Sequence, residues 1–155
     1  EALDNLKKSR KREGDKILLD LNKYQKKIKK NFERINKISE VDKKKLFSLV
    51  SKKIKKIYGN KKFDKDKAYQ EIGINPEKID ISEEIDRLKI HLEHLYTMMN
   101  SKTISIGKKI SFLIQEISRE LNTISAKANN EKISILSVDS KNELEKVREQ
   151  IQNIL

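Results

Sequence analysis

At 155 residues, with 35% hydrophobic and 39% charged residues, the chain suits a single domain with one buried stripe per helix and no thick globular core. One Pro, four Gly and no strand-type alternation leave all-α as the only fold class that fits. The absence of Cys excludes disulfides and thiolate metal sites and suits the cytoplasm. No apolar run approaches the roughly 20 residues that a membrane span needs, so no membrane partner is predicted.

Positive charge is concentrated in the first part of the chain, whose net charge is +12. Residues 1–67 hold 24 Lys and Arg against 10 Asp and Glu, whereas residues 68–155 hold 12 against 14. Such a basic half favours a polyanion partner, although 30 of the 36 basic residues are Lys and a lysine-rich composition explains the charge equally well. The six Arg are more informative, because only a planar guanidinium binds phosphate in a bidentate manner.

The first 58 residues predict a long basic helical arm. Its apolar positions follow spacings of three, four and seven, close to a heptad seam: Ile17, Leu21, Tyr24, Ile28, Ile35 and Ile38. Ser39-Glu40-Val41-Asp42 resembles a helix start, so a stutter or a break is predicted there. A continuous helix would be near 85 Å long at about 1.5 Å per residue, which favours self-association or packing against another part of the protein. A bent helix pair packed within the chain is the alternative.

Residues 59–79 predict a linker. Gly59 is placed as the C-cap of the first helix, and Asp64 to Ile72 predict a short helix that ends at Gly73. Asn75-Pro76 then breaks the chain.

Residues 80–155 predict a helical domain. We expect a helix from Ser82, as its N-cap, to about Asn100, and a loop from Ser101 to Ile106. A second helix is expected from Lys108 to about Ala128, where Asn129-Asn130 interrupt it. The last helix is assigned to Asp139–Ile154, with residues 133–138 as its start.

Polar residues form stripes on two of these helices. Asp80, Glu84, Arg87 and His91 recur at helical spacing beside the apolar stripe. On the next helix Glu116 and Glu120 are one turn apart. The other polar positions of that helix are Gln115, Arg119, Asn122, Thr123 and Lys127. Taken alone, carboxylates at this spacing are more often solvated or paired with Arg than catalytic.

Three motifs in this part carry a family resemblance. They are D-I-x-E-E-x-D-R-L-x-x-H from Asp80, G-K-K-x-x-F-L-x-Q-E-x-x-R-E-x-N-T-x-x-x-K from Gly107, and the ending Lys146–Asn153. In their order and spacing they resemble the C-terminal half of the YicC/YloC family, bacterial metal-dependent endoribonucleases. Family proteins are about twice as long, so we expect an N-terminal half that is absent here. Ser125-Ala126 departs from the family pattern, which has Gly then Ser.

The resemblance implies metal-dependent cleavage of RNA by a homo-oligomer, a hexamer that encloses its substrate. A divalent cation, Mn²⁺ or Mg²⁺, needs hard oxygen ligands, which Glu84, Glu116 and Glu120 would supply. His91, Glu116 and Glu120 are the predicted catalytic residues, with His91 as general base or acid. The predicted RNA contacts are Arg87, Lys108, Lys109, Arg119 and Lys127. Supporting hydrogen bonds are assigned to Gln115, Asn122 and Thr123.

A non-catalytic helical module that binds RNA or builds the oligomer is the alternative. In that case the polar residues of 80–127 form a satisfied network that holds helices in register. Phe112 and the four Tyr form no stacking platform, which disfavours base-specific recognition. A membrane-surface protein is disfavoured too, because basic and large apolar residues are not segregated.

Overall fold

Five α-helices make up the described part of the chain. The computed structural model describes residues 2–59, 64–73, 75, 79–100 and 107–152. The helices are α1 (Ala2–Tyr58), α2 (Lys65–Glu71), α3 (Ser82–Met99), α4 (Gly107–Ala128) and α5 (Glu131–Gln152). Every regular element within these ranges is helical, which confirms the all-α prediction.

Helices α1, α3, α4 and α5 form an antiparallel four-helix bundle. Side-chain contacts across neighbouring helices show the directions: Tyr96 with Gln25 and Ser82 with Lys43 for α1 and α3, Glu84 with Lys127 and Arg87 with Glu120 for α3 and α4, Ser125 with Ser134 and Asn122 with Lys141 for α4 and α5, and Lys27 with Glu143 and Asp42 with Asn130 for α1 and α5. In each pair one residue number rises as the other falls. Helix α1 packs chiefly on α5 and only lightly on α3.

Helix α1 is much longer than the bundle that it joins. Its 57 residues span about 86 Å, whereas the 22 residues of α4 or α5 span about 33 Å. Leu21, Ile28 and Ile35 are buried in the common core, so the predicted seam faces the bundle. Leu19 is 71% and Phe47 is 72% exposed. By its length, α1 extends past α3, α4 and α5.

Of the two alternatives predicted near residue 40, a stutter or a break, the break is wrong, because α1 is continuous through that region. The Ser39 hydroxyl donates to the carbonyl of Asn36 at 2.8 Å, so it bonds back into the preceding turn and caps no new helix. Asn130, in the α4–α5 turn, donates to Asp42 at 2.6 Å and holds this stretch against the bundle. Packing along one face therefore outweighs the local start signal.

The glycine turns are confirmed, and one predicted cap is corrected. Gly59 and Gly73 have φ values of +62° and +67°, the left-handed conformation that ends a helix. Ser82 is the first residue of α3 and does not cap it; Asp80 Oδ1 accepts from the Ser82 backbone N–H at 3.0 Å. A carboxylate two residues ahead of the helix replaces the predicted hydroxyl cap.

The last helix begins before residue 133, where its predicted start lay. Helix α5 starts at Glu131 and includes residues 133–138. Asn130 Oδ1 accepts from the backbone N–H of Lys132 at 3.0 Å and so caps α5, and Asn129 has a φ of +44° that turns the chain. The predicted loop Ser101–Ile106, the Asn60–Lys62 part of the first turn, Pro76 and the end at Ile154 lie outside the described residues.

Candidate active site

Helices α3 and α4 bring a row of charged side chains together at one edge of their interface. The apolar faces pack inward through residues such as Leu88 and Leu92 of α3 and Ile117 and Leu121 of α4. Residues three or four apart lie on the same side of a helix. Polar residues that flank the apolar faces of α3 and α4 on the same side therefore meet along one edge of the interface. Four of them, Glu84, Arg87, Glu120 and Lys127, are in contact, and we call them the carboxylate cluster.

Both carboxylates of the cluster are buried. Glu84 is 3% and Glu120 is 5% exposed. Lys127 donates to Glu84 Oε1 at 2.7 Å, and Arg87 Nε lies 3.4 Å from Glu120 Oε1. The other end of the guanidinium, Nη2, lies 3.9 Å from Glu84 Oε1. One Arg thus lies between two buried carboxylates, and a Lys neutralises one of them from the far side.

The cluster is not fully satisfied. Glu84 Oε2 is buried and has no hydrogen-bond partner within the described residues. A buried acceptor left without a partner costs about 1–3 kcal/mol, and more when it is charged. The structure keeps this acceptor at the edge of a charged row, where it could bind a donor or a cation.

His91 and Glu116 continue the row by one turn. The ion pairs that join residue 84 to 127 and residue 87 to 120 set the register, and by that register His91 is level with Glu116. The imidazole of His91 is half-buried, and its Nδ1 is buried without a partner in the described part of the chain. The side chain of Glu116 is more exposed than those of Glu84 and Glu120, and its Oε1 lies 3.5 Å from Arg119 Nη1. The predicted catalytic residues are therefore brought along one edge.

The predicted metal ligands do not form a complete site on their own. Among the described residues, no three His, Asp or Glu side chains are grouped so as to hold a metal ion. Glu84 and Glu120 instead face the cations of Arg87 and Lys127, which would compete with a divalent ion for the same oxygens. Metal binding through Glu84, Glu116 and Glu120 stays a prediction.

The predicted RNA contacts divide between three places. Arg87 and Lys127 belong to the carboxylate cluster. Lys108 and Lys109 are exposed in the first turn of α4. Arg119 is 74% exposed along its side chain and lies between Glu116 and the residues of α4 that face α5.

The residues predicted to support the carboxylates are mostly placed elsewhere. Gln115, Asn122 and Thr123 line a groove of about 410 Å³ between α4 and α5, together with Arg119 and the α5 residues Glu145 and Arg148. Asn122 Oδ1 accepts from Lys141 of α5 at 2.8 Å, and the Thr123 hydroxyl donates to the carbonyl of Arg119 at 3.2 Å. We call this site the α4–α5 groove.

Sequence reasoning missed a third buried carboxylate, Glu143, at the α1–α5 contact. Lys27 of α1 donates to Glu143 Oε1 at 3.1 Å and Lys146 donates to it at 3.0 Å. Burial alone would raise the pKa of Glu143, but the hydrogen bonds from Lys146 and Lys27 outweigh it and the pKa lies below the usual value. In the sequence, Glu143 follows the buried Ser140 by three residues and directly precedes the buried Leu144. This spacing is the only sequence signal that indicates an inward-facing side chain.

We expect this contact to make the stability of the bundle depend on acid pH. A folded-state pKa below the unfolded value means that the stabilisation is complete above the unfolded pKa and is lost as the pH falls through the folded pKa. Glu143→Gln should lower the free energy of unfolding by about 1 kcal/mol at pH 7 and flatten its fall below about pH 4.5. Urea unfolding from pH 2 to pH 7 measures both, with the exposed Glu145→Gln as control. Parallel pH curves for wild type and Glu143→Gln would contradict the assignment.

The fold and the site together define a class of protein: an antiparallel helical bundle with a charged, partly unsatisfied carboxylate cluster at the edge of two helices. No helix in the described ranges is long and apolar enough to cross a membrane. Residues 35–155 match the family model described as endoribonuclease YicC-like, C-terminal, which covers more than half of the chain. The chain belongs to this family.

Two relatives agree with the family match. The probable endoribonuclease YicC of Clostridioides difficile is 38% identical over 99% of this chain and 53% of its own length. The probable endoribonuclease YicC of Haemophilus influenzae is 36% identical over 59% of this chain and 31% of its own length. The chain thus spans about half, or less, of the length of each relative.

Proposed function

We propose that this chain supplies part of the active site of an endoribonuclease, at the α3–α4 edge. The observation that carries the proposal is the unsatisfied state of that edge, where Glu84 Oε2 and His91 Nδ1 are buried without partners in the described residues. Stability alone does not favour such groups, and a buried polar atom without a partner calls for an explanation, which a role in binding or catalysis supplies. Within the described part of the chain, Ser137 Oγ and Glu143 Oε2 are also buried without partners, but only at this edge do two such atoms lie in one row of charged side chains. The names of the relatives, probable endoribonuclease YicC, support RNA as the substrate.

The side chains of the edge suit phosphodiester cleavage. Cleavage requires a proton to leave the attacking oxygen and another to reach the departing oxygen, while negative charge grows on the phosphorus-bound oxygens. The imidazole of His91 is placed to serve as the group that accepts or donates such a proton. Arg87 and Lys127 carry positive charge to the same edge, and Glu120 positions the Arg87 guanidinium at 3.4 Å.

The divalent metal implied by the family resemblance would require more than these residues. A Mg²⁺ or Mn²⁺ ion prefers six oxygen ligands, some of them water. Glu84 and Glu120 already face cations, so a metal at this edge needs either the release of these oxygens by Arg87 and Lys127 or a further protein ligand from outside the described part of this chain. The other half of the protein or another subunit of the proposed homo-oligomer could supply it. The exposed apolar side chains of α1, such as Leu19 and Phe47, support an assembly of this kind.

A second candidate function, a non-catalytic scaffold, is favoured by one specific observation. The 2.7 Å contact from Lys127 to Glu84 and the Arg87 contacts pair charges across α3 and α4, as a register-holding network would. A buried ion pair can serve specificity of packing without any chemistry.

Glu120→Gln separates the two candidates, with Glu83→Gln as the matched control. Both carboxylates pair with Arg87, but the side chain of Glu83 is 78% exposed and that of Glu120 is 7% exposed. For the enzyme, cleavage of a labelled structured RNA by the whole protein should fall at least about tenfold in Glu120→Gln while RNA binding is kept, because Arg87 is no longer positioned. Running the assay with Mn²⁺, Mg²⁺ or EDTA tests the metal requirement, and EDTA is expected to stop cleavage.

A scaffold predicts a different pattern. Glu120→Gln would then lower the melting temperature or disrupt assembly, and no RNA would be cut under any metal. Glu83→Gln should leave the cleavage rate unchanged. It should change the free energy of unfolding by no more than about 0.5 kcal/mol, because exposed ion pairs contribute little.

A further inference from the structure

The α4–α5 groove is separate from the carboxylate cluster. Each residue advances a helix by about 100°, so the residues of α4 face different neighbours. Those that face α3 are Glu116, Glu120 and Lys127, whereas Gln115 and Asn122 face α5. The groove has room for a nucleotide-sized ligand, because small-molecule pockets begin at about 300 Å³ and this one is about 410 Å³. Arg119 connects the two places, because it lines the groove and its Nη1 lies 3.5 Å from Glu116 on the α3 side.

Two guanidinium groups from different helices reach the groove. Arg119 of α4 and Arg148 of α5 both line it, and their side chains are 74% and 44% exposed. Each pairs with a carboxylate three residues before it on its own helix, through Nη1 of Arg119 at 3.5 Å and Nε of Arg148 at 3.3 Å. A guanidinium has five N–H donors, so such a pair orients the group and leaves donors for a phosphate.

An aromatic side chain precedes the groove on the same face of α4. Phe112 is 60% exposed and lies one turn before Gln115 and two turns before Arg119. An exposed Phe on the same helix face as an Arg suits single-stranded nucleic acid, because a base can stack on the ring while cations farther along the face bind the backbone. An acidic peptide would make no use of the ring.

We propose that the α4–α5 groove is a binding subsite for single-stranded RNA. Arg119 and Arg148 bind phosphates, Phe112 stacks on one base, and the amide and hydroxyl groups of Asn122 and Thr123 lie where a 2′-hydroxyl would be recognised. The subsite rests on the proposed function, since it holds the strand whose cleavage occurs on the other edge of α4. Stacking on one ring is tolerant of sequence, which agrees with the sparse aromatic content.

Salt-dependent RNA binding tests the two arginines. For Arg119→Ala–Arg148→Ala in the whole protein, the Kd of a labelled 12-nucleotide single-stranded RNA should rise about tenfold or more, and the slope of log K against log salt should become shallower by about 1.4, or about 0.7 per phosphate contact. Lys89→Ala–Lys132→Ala removes the same charge from exposed positions of α3 and α5. That control should change neither quantity, and an equal change in both double variants would overturn the proposal.

Phe112→Ala tests the stacking contact without any change of charge. Loss of one stacked base should raise the Kd about tenfold and leave the salt slope unchanged. Ile135→Ala removes a similarly exposed apolar side chain from α5 and should leave the Kd unchanged. Arg119→Lys–Arg148→Lys guards against misfolding: it keeps the charge but loses the bidentate fork, so an intermediate Kd is expected.

Binding and cleavage fail separately in these experiments. If the protein cuts RNA but the arginine variant binds it as tightly as the lysine control does, the subsite is wrong and the enzyme stands. If no RNA is cut under any metal while the arginine variant loses binding, the cleavage proposal fails and the subsite stands as an RNA-binding site.

Discussion

His91→Gln is expected to reduce RNA cleavage by about 10²- to 10⁴-fold, the range typical of a lost general acid or base. Glutamine keeps hydrogen-bonding capacity but cannot take up a proton near neutral pH. The Kd for RNA should change less than about threefold, since the imidazole is not among the proposed phosphate contacts. Stability should stay equal or rise slightly, because the Nδ1 that is buried without a partner in the described residues is removed. Single-turnover cleavage of a labelled structured RNA, with binding measured separately, gives both quantities.

His94→Gln is the matched control for this experiment. His94 is on the same helix three residues later and is exposed. If both variants cleave at the wild-type rate, His91 has no catalytic role. If both lose activity equally, the loss comes from α3 as a whole. A wild-type pH–rate profile adds a second check, because a limb that is present in the wild type and absent in His91→Gln would report the imidazole.

Glu40→Pro should destabilise the protein by about 3 kcal/mol or more, the second large effect that we expect. In a continuous α1 the proline removes one backbone hydrogen bond and its ring clashes with the preceding turn. If a new helix began after Ser39, residue 40 would instead be its first position, where proline is well tolerated. Urea unfolding measures the difference in the free energy of unfolding.

Glu40→Ala isolates the effect of the backbone. Glu40 is exposed, so removing its side chain should change the free energy of unfolding by no more than about 0.5 kcal/mol. A proline variant as stable as the alanine variant would show that α1 is broken at this point in solution.

Periodicity predicted which face of each helix is buried. Leu21, Ile28 and Ile35 recur at intervals of seven, and all three are in the core. Gly59 and Gly73 marked helix ends because only a residue without a side chain adopts their positive φ without strain. These signals are local, and local sequence carries them fully.

Pairing between helices could not be predicted in the same way. The spacing of Glu116 and Glu120 on one helix does not show that Arg87 of another lies against Glu120 and not against Glu116. That depends on the register of α3 against α4, which the whole apolar interface determines. For the same reason Gln115 and Asn122 were assigned to the carboxylates, although the structure places them beside α5. Gln115 and Asn122 lie about 100° and 120° around the helix from Glu116, so they face a different neighbour.

The start signal at Ser39 failed for a related reason. The Ser39 hydroxyl can either cap a new helix or donate to the carbonyl of Asn36. The free energies of these two local arrangements differ by about 1 kcal/mol. Burial of the apolar side chains of α1 on either side contributes more than that, so the tertiary contact decided the outcome.

The pairing of the first bundle helix with the last has a consequence for synthesis on the ribosome. Lys27 and Glu143 are 116 residues apart in sequence, so the seam of α1 has its main partner only after most of the chain has been made. At about 5–20 residues per second, the interval between these two residues is roughly 6–23 s. During that time Leu21, Ile28 and Ile35 form an apolar stripe on a nascent helix without its cover. We therefore expect a pause in translation before α5 to lengthen the time for which this stripe is exposed to aggregation.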